Sequence, residues 1–247
     1  MKFDFGYFIK VFPQLLAYIP STLLMAIVAM IIATILGAII VTLQFSKVKI
    51  IKGFANLYIS IFRGIPTLVQ LFIVYYGLPQ LFPILKGLPA LFIAIVGLGI
   101  KQSSYLAEIF RAAINSVDHG QVEAGLSLNI KYTQLFTHII LPQATVNALP
   151  ATGNTFVSLL KETSLAFTLG ITELFAQGKM LAGGSFKYFE TYAAVGITYW
   201  LLIVIYTRLQ HLLENYLTRP YRRESHVTDK RSEPVRAVGT EASAETH

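Results

Sequence analysis

Residues 20–43 read PSTLLMAIVAMIIATILGAIIVTL. The run carries no charge and is long enough, at about 1.5 Å per residue, to cross a hydrocarbon core of about 30 Å as one helix. A barrel would show alternating segments of about 10 residues, and lipid tolerates no unpaired backbone, so a continuous run reads as helix. It ends at Lys47, Lys49 and Lys52.

Four more apolar blocks follow. Residues 54–78 are interrupted by Arg63-Gly64-Ile65-Pro66, and residues 88–114 carry Lys101, Glu108 and Arg111. Residues 149–171 contain Lys161-Glu162, and residues 192–213 lead into Arg219, Arg222 and Arg223. The chain of 247 residues is 54% hydrophobic and only 13% charged. With a mean hydropathy of +0.59, it lies outside the range of soluble domains. The fold expected is an all-α integral membrane protein of about five transmembrane helices. Residues 1–19 form an extracytoplasmic segment and residues 20–219 the transmembrane domain. Residues 220–247, polar and poor in aromatics, form a disordered cytoplasmic tail.

A net charge of +7 raises the question of nucleic acid, but the basic residues sit mostly beside the ends of apolar blocks, where they set orientation. The Lys47–Lys52 loop, the stretch 116–144 and the arginine-rich end fall on one face. This places the N-terminus outside and the C-terminus in the cytoplasm, with Lys86, Lys179 and Lys187 as exceptions. There is no cysteine, which excludes disulfides and thiolate metal sites. The first apolar block follows an acidic, aromatic start and is too long for a cleavable signal, so it serves as its own insertion signal. The five histidines form no ligand pair at helical spacing, which argues against a membrane enzyme.

The polar stretch between the third and fourth blocks carries the most information. Gly120-Gln121-Val122-Glu123-Ala124-Gly125-Leu126-Ser127-Leu128-Asn129 reads as a short helix, with Asn129 suited to the left-handed turn after it. A second short helix follows, with Leu135 and Ile139, and Phe136 and Ile140, on one apolar stripe. Pro142 is expected to stop it, because proline resists helix at Leu141 before it. Two short helices on the cytoplasmic face suit a groove in a soluble partner, and equally an ordinary interhelical loop.

At these residues the sequence resembles the EAA loop of ABC importer permeases: Glu-Ala-Ala, three residues, Gly, nine residues, Ile, one residue, Leu-Pro. Glu123, Ala124, Gly125, Asn129, Ile139, Leu141 and Pro142 stand at those spacings, with Gly125 in place of the second Ala and Asn129 in place of Gly. A glycine inside the first helix should cost about 1 kcal/mol relative to Ala. Arg63-Gly64-Ile65-Pro66 with Val69-Gln70-Leu71-Phe72, Ser104-Tyr105-Leu106-Ala107-Glu108-Ile109-Phe110-Arg111 and Lys161-Glu162-Thr163-Ser164-Leu165 also look like the polar amino-acid permeases of that superfamily. The resemblance implies the type I ABC importer architecture in a bacterial cytoplasmic membrane. It also implies an amino-acid substrate, a second permease protomer, a cytoplasmic ABC ATPase dimer docked on the EAA loop, and an extracytoplasmic substrate-binding protein. ATP and Mg then belong to the ATPase. This chain has no Gly-x-x-x-x-Gly-Lys-Ser/Thr loop, so no cofactor is expected on it.

Ionisable groups inside membrane helices cost about 2.5–3.5 kcal/mol each at a helix centre, so they face a pathway or one another. Lys101 and Glu162 fit either an internal ion pair or the two ends of a zwitterion. Pro66 frees the carbonyl of Phe62, and Arg63 beside it suits a gate or a substrate carboxylate. Gln70, Gln102, Ser103, Thr155, Ser158 and Thr163 complete the candidate path, each also suited to helix-to-helix hydrogen bonds. Glu108 and Arg111, three apart, read as a pair with each other. Ala29, Ala33 and Gly37 form a small-residue ridge for close helix packing. In relatives that carry cationic amino acids, acidic residues are expected near the Asn154-Thr155 position. Neutral Thr155 therefore favours a neutral or acidic substrate, or a cystine-like zwitterion. The competing reading is an ion-coupled secondary amino-acid transporter, which the lack of an internal repeat weighs against.

Overall fold

The computed structural model describes residues 3–231, which form an all-helical bundle. Helix α1 (Phe5–Leu16) opens at Asp4, whose side chain accepts from the Tyr7 amide at 2.9 Å. Val11 and Leu15 bury against Leu174, Ala194 and Val195, so the segment before the first crossing is a docked helix. Lys187 pairs with Asp4, and the Asp4 amide donates to Glu190 Oε1 at 3.0 Å. The Lys187 contact, helped by the Tyr7 amide, holds the Asp4 carboxyl below its ordinary value, and Asp4 in turn raises Lys187.

Helix α2 (Ile19–Gln44) is the block 20–43, entered through Pro20 in its first turn, where a missing N–H costs nothing. Ala29, Ala33 and Gly37 are buried on it. A Cβ at Gly37 would stand 3.0 Å from Leu106 Cβ, and one at Gly99 would stand 2.8 Å from Ile32 Cγ2. These glycines let α2 press along α6 (Ala90–Asn115), the central helix of the bundle.

Block 54–78 does not make one straight crossing. Helix α3 (Lys49–Gly64) stops where Ile65 (φ −92°, ψ 135°) and Pro66 (φ −57°, ψ 138°) are extended. Helix α4 (Thr67–Phe72), a π turn at Ile73–Gly77 and helix α5 (Leu78–Leu81) then leave at 108° to α3. Proline at 66 disfavours helix at Ile65 and removes the amide that Phe62 would use, which is why the break falls there.

Pro142, by contrast, does not stop a helix, contrary to the sequence expectation. Helix α7 (His119–Ser127) is followed by α8 (Tyr132–Leu135), a π turn at Phe136–Ile140 and α9 (Leu141–Glu162), the last three continuous. Leu141 is helical at φ −62°, ψ −42°. The wider π turn receives the proline ring without the usual clash. It also shifts the apolar register: the buried pair is Leu135 and Ile140, while Phe136 and Ile139 are half-buried.

A 3-10 segment (Thr163–Leu169), α10 (Leu174–Ser185) and α11 (Tyr188–Arg231) complete the chain. Helix α11 runs on as helix through Arg231, taking in the first part of the stretch expected to be disordered; Arg and Glu there are good helix formers. Residues 232–247 lie outside the described residues. Among the described residues three helices, α2, α6 and the 188–218 part of α11, are long and apolar enough to cross a membrane, or four if the bent pair counts as one span. Helix α9, the remaining crossing read from the sequence, has 22 residues, about 33 Å, but carries a polar stripe. Met25, Leu71, Leu98 and Leu159 bring α2, α4, α6 and α9 into one core, which fixes the bend against the central helix.

Candidate translocation site and coupling loop

Gln70 is buried at the bend, and its Nε2 donates to the carbonyls of Phe62 at 3.0 Å and Ile65 at 2.6 Å. The Phe62 carbonyl is the one Pro66 leaves without a helical partner. The side chain therefore locks the kink, and the structure places it there rather than on an open surface. Arg63, exposed in the last turn of α3, sits with its guanidinium 5.2 Å from the centroid of the Tyr105 ring.

Lys101 approaches the same ring, its Nζ 4.6 Å from the centroid. It also donates to Glu162 Oε1 at 2.6 Å, joining α6 to the end of α9. The Lys101 side chain is 7% exposed and that of Glu162 23%. Glu162 Oε2 is buried without a hydrogen-bond partner. Arg63 forms no ion pair among the described residues. Two cations and one carboxylate thus gather around one aromatic ring, with one carboxylate oxygen and one guanidinium left over. Both open alternatives for Lys101 and Glu162 are compatible with this: they are paired, and their cluster has unused hydrogen-bonding capacity.

The remaining polar candidates divide by exposure. Ser103 Oγ donates to the Ile100 carbonyl at 2.7 Å and lies 2.7 Å from Tyr58 Oη. Thr155 and Thr163 are buried and donate to Ala151 and Leu160 carbonyls at 2.9 and 2.8 Å. Gln102 Nε2 reaches the Thr155 carbonyl at 3.3 Å, while its Oε1 is buried without a partner. Gln102 and Ser103 thus tie helices together, while the Thr155 and Thr163 hydroxyls are spent on carbonyls of their own segment. Ser158 is different: with Asn154 and Lys161 it lies on the exposed side of α9, one turn before Glu162.

The stripe Lys101, Tyr105, Glu108, Arg111 runs along one face of α6 at helical spacing. Arg111 Nη2 donates to Glu108 Oε2 at 2.7 Å, as their spacing predicts, and Gln44 Nε2 joins Glu108 Oε1 at 3.0 Å. Sequence reasoning missed Tyr105, whose signal was its place one turn after Lys101. It also missed Glu173, a fully buried acid that caps α10 through the amides of Phe175 and Ala176 at 3.0 and 2.8 Å. Tyr199 Oη donates to Glu173 Oε2 at 2.9 Å. An acid just before an apolar helix was the available signal.

The loop after α6 folds as its residues dictate. Asp118 caps α7, its Oδ1 accepting from the Gly120 amide at 2.8 Å. At the other end Asn129 takes φ 61°, with Ile130 N–H to Gly125 O at 3.1 Å and Asn129 N–H to Leu126 O at 2.9 Å. These are the two bonds of a Schellman turn, the role that Asn129 was expected to fill. Gly125 is buried against Leu135, and a Cβ there would stand 2.2 Å from Leu135 Cδ2. The departure from Ala at this position is matched by a leucine seated in the space. Gln143 Nε2 donates to Gln121 Oε1 at 2.7 Å and ties α7 to α9. Glu123, Ala124, Leu126, Leu128, Leu141 and Pro142 are exposed, Ile139 half so. Among the described residues no group of three His, Cys, Asp or Glu is placed to hold a metal ion.

Residues 29–219 match the family described as binding-protein-dependent transport system inner membrane component. The probable amino-acid permease protein YxeN of Bacillus subtilis (strain 168) is 58% identical over 219 residues, covering 89% of this chain and 98% of that protein. The L-cystine transport system permease protein TcyL of the same organism is 36% identical over 198 residues, covering 78% and 83%. A crystal structure of an amino acid ABC transporter with histidines superposes with a TM-score of 0.81 at 34% identity, covering 87% of this chain and 100% of that one. The shared fold, the loop after α6 and these likenesses agree: the chain belongs to the binding-protein-dependent transport system inner membrane components, as an amino-acid ABC transporter permease.

Proposed function

We propose that this permease passes a neutral or acidic amino acid, or a cystine-like zwitterion, along the side of the bundle that carries Arg63, Tyr105, Lys101, Ser158 and Glu162. The observation that carries the reading is the leftover capacity of that cluster. Arg63 has an aromatic ring and makes no salt bridge, with the Glu108 carboxylate near it but bonded to Arg111, so a substrate carboxylate gains a planar, two-pronged donor there. Glu162 Oε2 accepts from nothing and suits an ammonium. The local excess of positive charge disfavours arginine or lysine as cargo.

The segment Gly120–Pro142 then docks on a cytoplasmic ATPase. Exposed Leu126 and Leu128 fill an apolar groove, and Glu123 meets the partner beside them. The N-terminus lies outside and the C-terminus in the cytoplasm, and two permease protomers enclose the path. An ion-coupled transporter would leave this exposed loop without a role. Uptake of labelled amino acids into proteoliposomes holding the permease, its ATPase and its binding protein tests both parts. Uptake of cystine or a neutral or acidic amino acid that requires internal ATP is expected, and uptake of arginine or lysine alone would overturn the substrate class. Glu123→Lys should preserve membrane insertion and abolish ATPase docking; normal transport by that variant would overturn the coupling role.

A further inference from the structure

A groove of about 980 Å³ opens between the C-terminal half of α2, the end of α6 and the start of α9. Most of its wall is aliphatic or aromatic, with Phe45, Phe110, Phe136 and Leu141 prominent. Three of its four threonines add little polarity, while the hydroxyl of the fourth, Thr152, is buried without a partner. Thr34, Thr42 and Thr145 each donate their hydroxyl at 2.8 Å to a carbonyl of their own helix, Met30, Ala38 and Leu141 respectively. Lys47 is the single charged side chain in the lining, exposed just beyond the end of α2. Lys49 and Lys52 follow within one turn at the start of α3. A long apolar trough closed by a cationic end is complementary to a molecule with an apolar body and an anionic head.

The groove faces away from the candidate path. At about 100° per residue, the α9 positions lining it, such as Leu141, Thr145, Ala148 and Thr152, lie roughly 130° around the helix from Asn154 and Ser158. Another copy of this chain is poorly suited to fill it. The exposed apolar face of α2 carries no acid for Lys47, and on α11 up to Thr218 both acids are already committed. Glu190 accepts from the Asp4 amide, and Glu214 from Gln210 Nε2 at 2.6 Å.

We infer that this groove binds an anionic phospholipid, its acyl chain along Phe45, Phe110 and Phe136 and its phosphate at Lys47. The lipid touches Tyr132 and Phe136, which belong to the segment that follows α7 directly, so it wedges α2 against the coupling loop. Anionic lipids concentrate in the leaflet that the basic loops face.

The test reads binding without transport, so its outcome is independent of the substrate and ATPase assignments. The chain has one tryptophan, Trp200, which is exposed on α11. In the full chain carrying Trp200→Phe and Phe110→Trp, placed in lipid nanodiscs, phosphatidylglycerol with brominated acyl chains should quench the new tryptophan. Phosphatidylcholine with the same chains, at the same mole fraction, should quench it less. One lysine near the headgroup layer predicts a local enrichment of about fivefold for the anionic lipid. Lys47→Glu should abolish that preference, and Trp200 in the parent protein should be quenched alike by both lipids. Equal quenching of Trp at position 110 by both lipids would overturn the proposal, because the groove would then hold bulk lipid. Absence of quenching by either would also overturn it, placing protein in the groove. Should Phe110→Trp fail to insert, Phe45→Trp at the mouth gives the same reading.

Discussion

Gly125→Ala restores the residue that related permeases usually carry, yet this structure predicts that it weakens the loop. The added Cβ would stand 2.2, 3.1 and 3.2 Å from Cδ2, Cδ1 and Cγ of Leu135, and Leu135 is 1% exposed. Forcing a methyl into such a contact costs about 1–3 kcal/mol. Replacing a helical glycine by alanine returns about 1 kcal/mol. Taking the middle of the first range, the net is a loss of about 1 kcal/mol, or about fivefold in the local opening equilibrium. With Leu135→Ala as background the clash is gone, and Gly125→Ala should stabilise by about 1 kcal/mol. The sign reverses, and the coupling across the double-mutant cycle is about 2 kcal/mol. Hydrogen exchange of the amides in α7, followed by mass spectrometry on the four proteins, measures this directly. Faster exchange on Gly125→Ala alone and slower exchange in the Leu135→Ala background are expected. Slower exchange in both backgrounds would refute the reasoning, since the leucine would not be using the space.

Three other outcomes follow from contacts described above. Glu162→Gln leaves Lys101 buried without its countercharge, at about 3 kcal/mol, the low end of the usual range because Glu162 is partly exposed. Its thermal midpoint in detergent should fall, and Lys101→Met with Glu162→Leu should recover folding without recovering uptake. Gln70→Leu removes both donors from the bend, so about 1–3 kcal/mol is lost and spin-label distances between α3 and α4 should broaden; an unchanged distribution would mean that packing alone sets the 108° angle. The α1 anchor depends on pH at its two extremes. Asp4 is depressed, so its contribution is complete above its ordinary 3.8 and is lost as pH falls through its lower folded value. Lys187 is raised, so its contribution is complete below 10.5 and is lost as pH rises through its higher folded value. Proteolysis of α1 should be flat from about pH 5 to 9 and should increase in strong acid; a rise near pH 6.5 would point to a different anchor.

The parts of the molecule legible in the sequence are those set by single-helix physics. Residues 20–43 had to span as a helix, Asn129 had to turn left-handed, and Ala29, Ala33 and Gly37 had to meet a neighbour closely, which proved to be α6. Pro66 announced a break, but its angle is set by Leu71 against α6 and by Gln70, which are tertiary contacts. Gln70 reads from sequence as a polar group awaiting a ligand because nothing local shows that two carbonyls earlier in the chain need it. Pro142 reads as a stop because the π turn that admits it has no residue signature. Tyr105 stands among residues with many possible roles; only the convergence of α3 and α9 on α6 reveals that two cations share its ring. The exposed residues Glu123, Leu126 and Leu128 show a face without a partner, and no property of a lone chain can name what covers it.

The helix from Tyr132 to Glu162 has no break along its length. At about 1.5 Å per residue it is a shaft of about 45 Å, with the loop proposed to meet the ATPase at one end and the carboxylate that holds Lys101 at the other. A stroke delivered at the near end therefore reaches the far end without crossing a hinge. The π turn at Phe136–Ile140 and the proline at 150 are the two places where such a shaft can twist, so the gearing between the two ends is set by how much rotation those two points absorb.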